Sequence, residues 1–106
     1  MNRWRIPSSV VDIVKAVCQD YDRRDRAIKR PSEIDVSVLE EYKALNDIIN
    51  HALECVECGM RATLLYDVCH NVGYDYTQIS PFIAKNTYYD RKRRLIHDIA
   101  KGMHLV

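Results

Sequence analysis

Glycine and proline are scarce in this 106-residue chain, at three of each. No Gly-rich phosphate loop, nucleophile elbow or metal-hydrolase motif can be read in it. No apolar run approaches the roughly 18 residues of a membrane span. The start, Met1-Asn2-Arg3-Trp4-Arg5, is not followed by the apolar block of a signal peptide. The alternation of a half-buried strand is missing, as are internal repeats and low-complexity tracts. These absences lead to the expectation of an all-α protein of the cytoplasm with no membrane partner, no cofactor and no enzymatic activity. Its four cysteines are then expected to be reduced.

The composition suits one globular domain with a core of modest size, at 47% apolar and 29% charged residues. A formal net charge of +1 points to no partner by itself. Its distribution is more informative. Residues 1–38 hold eight Lys/Arg and six Asp/Glu, residues 39–73 two and six, and residues 74–106 six and three, for +2, −4 and +3. A basic C-terminal end on an acidic body is where an electrostatic footprint for DNA would sit.

The glycines and prolines fall at expected boundaries. After Pro7, Val10, Val14, Val17 and Tyr21 recur at helical spacing, and the helix is expected to run on through Ile28 until Pro31 stops it. Ser37-Val38-Leu39-Glu40 reads as a capping box for a second helix from about Val38. Its stripe is Leu39, Tyr42, Ile49, Leu53, Val56 and Met60, with Asn46 as a polar intrusion. Leu64, Leu65, Val68 and Val72 mark a third helix that Gly73 is expected to end. A further capping box, Asp75-Tyr76-Thr77-Gln78, predicts a short helix before a turn at Ser80-Pro81. A basic helix then spans about Lys85 to Lys101, with Tyr88, Leu95, Ile96 and Ile99 inward and Gly102 as its stop. The chain thus divides into an N-terminal helix and linker (1–37), core helices (38–73) and a C-terminal helix-turn-helix reading head (74–106).

The reading head is the candidate site. Affinity for DNA comes largely from neutralised phosphates, and specificity from side chains that reach base edges. Lys85, Asn86, Thr87 and Tyr89 open the last helix with hydrogen-bond donors for bases, Asn86 being suited to adenine. Arg91, Lys92, Arg93 and Arg94 follow as phosphate contacts. The expected partner is double-stranded DNA. Because one short reading helix supplies little affinity, a homodimer built on the upstream helices is expected too.

The segments Leu64-Leu65-Tyr66, Tyr76-Thr77-Gln78-Ile79, Asn86-Thr87-Tyr88-Tyr89-Asp90-Arg91-Lys92-Arg93 with Leu95-Ile96, and Ile99-Ala100-Lys101-Gly102-Met103-His104-Leu105 carry a family resemblance. They resemble the region-four helix-turn-helix of sigma factors and, more closely, phage late-gene transcriptional regulators of the RinA and ArpU type. The resemblance implies a sequence-specific regulator of phage or prophage promoters in a bacterial host cell, with host RNA polymerase as a partner. It covers residues 64–105. Ala84 departs from it by standing where the family carries a capping serine, and the connection from Ile79 to Thr87 is shorter than the sigma pattern. Two rival readings are a phage small terminase subunit that binds packaging DNA and a helical adapter that binds protein and never DNA.

Other clusters admit blander explanations. His51, Cys55, Cys58 and Cys69 could be assembled as a zinc set, but Cys55-Val56-Glu57-Cys58 has no second paired motif, and reduced, packed thiols are the favoured reading. Arg23-Arg24-Asp25-Arg26 with Lys29-Arg30 reads as a salt-bridged exposed face, with a contact to flanking DNA or a protein partner as the rival reading. Glu40-Glu41 and Glu54/Glu57 read as a solvated acidic face, and Trp4 as an interface anchor or a terminal packing residue.

Overall fold

Pro7 opens helix α1 (Ser8–Gln19): its fixed φ of −58° presents a carbonyl that accepts from Val10 and Val11 N–H at 3.0 and 3.1 Å. The computed structural model describes residues 5–106, so Trp4 lies outside the described residues. The helix expected to reach Ile28 without interruption breaks at Asp20, and α2 (Tyr21–Lys29) follows at once. The cause is Arg24. Its Nη2 donates to the Val17 carbonyl at 2.6 Å, an acceptor that a continuous helix would give to the Tyr21 N–H.

Helix α3 (Val36–Leu53) starts two residues before the expected Val38, because Asp35 caps it. The Asp35 carboxylate accepts from Ser37 N–H at 2.9 Å and from the Ser37 hydroxyl at 2.6 Å, so the serine is a donor here and not the cap. The helix stops at Leu53, well short of Met60. Arg61 Nε donates to the Val56 carbonyl at 2.8 Å, a side-chain bond that helps hold the turn between α3 and α4 (Arg61–His70). A 3-10 turn, Cys58–Met60, leads into α4. Asn71, in the left-handed region at φ 55°, ends α4 ahead of Gly73, and Lys15 holds its amide oxygen at 2.6 Å.

Residues 71–84 hold two 3-10 turns, Tyr74–Tyr76 and Ser80–Phe82, and then α5 (Lys85–Gly102) completes an all-α fold. Helix α5 is the central element. Its Tyr88, Leu95, Ile96, Ile99 and Ala100 are buried with Val14 and Cys18 of α1, Ile49, Ala52 and Leu53 of α3, and Leu64 and Val68 of α4. Burying each Leu or Ile contributes about 1.5–3 kcal/mol, which outweighs the helix's many exposed charges. Helices α1 and α3 both pack on α5, α1 also packs on α4, and α2 packs on α3.

At the end of α5 the packing is tight enough to reverse an ordinary preference. A Cβ at Gly102 would stand 2.7 Å from Ile48 Cγ2, which is branched and cannot swing aside cheaply. Gly102→Ala would raise helix propensity by about 1 kcal/mol on a free helix. Here we expect it to destabilise by about 1–2 kcal/mol through overpacking, measured by urea unfolding.

Cysteine placement follows the same packing. Cys18 and Cys69 are buried and share a hydrogen bond between α1 and α4, and that bond and burial push the Cys18 thiol's pKa up. Cys55 and Cys58 are exposed. The four candidate zinc ligands do not converge, and no metal-ligating group of three or more forms among the described residues.

Candidate nucleic-acid interface

The approach to α5 is built by tyrosines and one buried acid. Tyr74 OH bridges to the carbonyls of Ser80 and Ile83, at 3.0 and 2.8 Å, and so ties the two 3-10 turns together. Its backbone N–H donates to Tyr89 OH at 3.1 Å. The Tyr74 and Tyr88 rings meet edge-on at 5.7 Å, and those of Tyr88 and Tyr89 at 5.2 Å. Beneath them Asp67, only 2% exposed, accepts from Thr77 Oγ1 at 2.6 Å and from Tyr88 OH at 2.7 Å, both at Oδ2. Burial first, and the carboxylate second, raise the Tyr88 pKa.

This network explains why the short helix predicted from Asp75 does not form. Thr77 turns its hydroxyl inward to Asp67 from extended backbone, at φ −74° and ψ 145°. Pro81, without an N–H, cannot carry a helix across residues 77–81. The link from α4 to α5 is therefore the whole of residues 71–84 and not the turn of about 3–4 residues that joins two helices in a compact helix-turn-helix.

The eight predicted contact residues separate into two groups. Lys85, Asn86, Thr87 and Arg93 are exposed. Ala84 is the N-cap residue with no side-chain cap bond, as its methyl group dictates, so the first-turn N–H groups of α5 are not capped by the residue that precedes them. At 3.6 residues per turn, Asn86, Asp90, Arg93, His97 and Lys101 fall along one line of the helix, opposite the buried Tyr88, Leu95 and Ile99.

The other four have structural partners. Tyr89 accepts from the Tyr74 N–H and is half-buried, so it is not aimed at a base. Lys92 Nζ donates to the Val72 carbonyl at 2.7 Å and sits 5.5 Å over the Tyr88 ring. Burial lowers its pKa, against the pull of Asp67. Arg91 pairs with Glu57 at 3.1 Å, and Arg94 with Asp98 at 3.6 Å. A backbone hydrogen bond and, next, Arg91 lower the Glu57 pKa.

No family model, curated protein or solved structure matches this chain.

Two residues that matter to this site's geometry escaped the sequence reading. Asp67 was legible as an anomaly, since it stands three residues after Leu64 and one before Val68, on the edge of a buried stripe. Tyr74 carried no such signal, because its partners are carbonyls brought close only by folding. Arg24, read as part of an exposed basic cluster, is 3% exposed. Of that cluster's exposed cations, Lys29 pairs with Asp25 at 2.9 Å and Arg23 with Asp20 at 2.6 Å.

Proposed function

We propose that the chain is a sequence-specific, double-stranded-DNA-binding transcriptional regulator of phage or prophage origin that reads DNA with α5. The observation that carries this reading is the uncapped, exposed first turn of α5, bearing Lys85, Asn86 and Thr87, with Asn86 in line with Arg93. N–H groups at a helix start attract phosphate. Asn86 can bond an adenine edge bidentately, Lys85 takes guanine or phosphate, and Arg93, two turns on, meets the backbone. Arg91 and Arg94 are reserve cations. The Arg91–Glu57 pair is solvent-accessible, and such pairs are worth about 0.2–1 kcal/mol, so phosphate can compete for Arg91. Lys92 and Tyr89 hold the connection against α5. A homodimer on two half-sites supplies the affinity that one reading helix lacks, and host RNA polymerase is the protein partner that fits such a regulator.

The test is a titration with duplex DNA flanking the chain's own gene at several salt concentrations. Log affinity is expected to fall linearly with log salt, and Arg93→Ala should reduce the slope by about one ion while weakening all sequences alike. Asn86→Ala should cost about 10- to 100-fold on the specific duplex and little on random DNA. Salt-insensitive binding, or variants that behave like the parent, would sink the reading.

A further inference from the structure

A cavity of about 470 Å³ opens where α4 meets the connection to α5, and nothing in the DNA reading uses it. Thr63, Tyr66, Asp67, Tyr76 and Gln78 are among its lining residues. Its size falls within the range of small-molecule pockets. Three features of the lining go together. Asp67 is a carboxylate 2% exposed, and among the described residues both of its hydrogen bonds converge on Oδ2. Oδ1 therefore keeps acceptor capacity at a wall of the cavity. Two tyrosines line the same cavity: Tyr76 is 86% exposed, and Tyr66 is 58% exposed with its ring 4.2 Å from that of His70. The nearby cation Lys92 has its ammonium bonded to the Val72 carbonyl.

A buried carboxylate in a cavity lined by tyrosines matches a planar cation. We propose that this cavity binds a guanidinium group, as the arginine side chain of a protein partner. The guanidinium lays its face on the tyrosine rings, donates one N–H to Asp67 Oδ1, and has further donors for Gln78 and Thr63 oxygens. Guanidinium fits better than ammonium because it is flat and more weakly hydrated, so it enters the site at lower desolvation cost. The charge around the site favours the same occupant. Among the described residues Asp67 is the one carboxylate of the lining, with no Lys or Arg beside it there, so the cavity draws a cationic group and repels the phosphates attached to any nucleobase.

The experiment is a ¹H–¹⁵N NMR titration of the full chain with N-acetylarginine amide, with N-acetylcitrulline amide as the neutral isostere and with guanosine. The arginine amide is expected to produce saturable shifts at Tyr66, Val72, Tyr76 and Gln78, and citrulline to bind at least about 10-fold more weakly, a charged hydrogen bond being roughly twice as strong as a neutral one. Tyr76→Ala, which removes an exposed ring and leaves the core intact, should weaken arginine about 3- to 10-fold. Asp67→Asn keeps an acceptor for the Thr77 and Tyr88 hydroxyls and removes the charge. Where its spectrum shows a folded chain, arginine binding should disappear. Citrulline binding as tightly as arginine, guanosine displacing arginine as the better ligand, or no saturable shift at those four residues would each overturn the proposal. None of these outcomes depends on whether α5 binds DNA.

Discussion

Asp67→Ala is expected to lower the free energy of unfolding by about 3–5 kcal/mol, placing it among the most damaging single changes available in this chain. The carboxylate receives two hydroxyl protons, from Thr77 at 2.6 Å and Tyr88 at 2.7 Å, in a site where all three residues are buried. Removing it orphans the Thr77 hydroxyl, at about 1–3 kcal/mol, leaves Tyr88 OH only its longer contact to the Val72 carbonyl, and opens a cavity among buried side chains. It also removes the carboxylate whose charge supports the half-buried Lys92 ammonium. Tyr88→Phe is gentler, at about 1–2 kcal/mol, because Asp67 keeps the Thr77 bond. Tyr88 OH lies 3.2 Å from the Val72 carbonyl as well, but its single proton serves the shorter contact. In a double-mutant cycle read by urea unfolding, Tyr88→Phe should cost clearly less once Asp67 is alanine, since only the contact to the Val72 carbonyl remains to be lost. Additive costs would show that the two side chains act independently.

The second large effect lies at the other end of the molecule. Arg24→Ala is expected to destabilise by about 2–4 kcal/mol. Arg24 Nε donates to Asn46 Oδ1 at 2.7 Å and its Nη2 to the Val17 carbonyl at 2.6 Å, so one side chain holds α1, α2 and α3 together. Burial lowers the Arg24 pKa from its ordinary value, yet a guanidinium titrates so high that the charge persists. Asn46 in turn donates to the Tyr21 carbonyl at 3.2 Å, which anchors the start of α2. Arg24→Met fills the space and still leaves Asn46 Oδ1 without a donor, so it should recover only part of the loss. Arg24→Met with Asn46→Leu removes both polar partners together and should lie within about 1–2 kcal/mol of the parent. Thermal unfolding of the three variants decides. A double variant as damaged as Arg24→Ala would place the role of Arg24 in its bond to the Val17 carbonyl.

The Arg24–Asn46 pair also shows where sequence reading stops. Asn46 stood out as a polar residue in an apolar stripe, but its partner lay in a run of cations whose helical spacing suggested solvent. Periodicity reports which face of a helix is apolar. It does not report which helix lies opposite, and a buried arginine is explained only by the acceptors it finds there.

The boundaries teach a related lesson. Asp35 outcompetes Ser37 as the cap of α3 because a carboxylate takes both the Ser37 N–H and its hydroxyl. Asn71 ends α4 because its backbone adopts the left-handed form at φ 55° and Lys15 of α1 holds its side chain. In each case the residue types were visible and the choice between them depended on partners.

The sequence by itself determined the all-α class, the extent of the basic helix, its buried face of Tyr88, Leu95, Ile96 and Ile99, and the uncapped start at Ala84. These are local properties, set by spacing along one helix and by the chemistry of single side chains. Tertiary structure alone decided which cations are exposed. Arg93 faces solvent, whereas Arg91 meets Glu57 from the turn between α3 and α4, and Lys92 meets the Val72 carbonyl. It also replaced the expected short helix by two 3-10 turns, because Thr77 and Tyr88 gain a shared buried acceptor in Asp67 that no continuous helix through residues 75–80 could give them. A buried carboxylate must find its donors, and here that demand outweighs the local preference of the capping box.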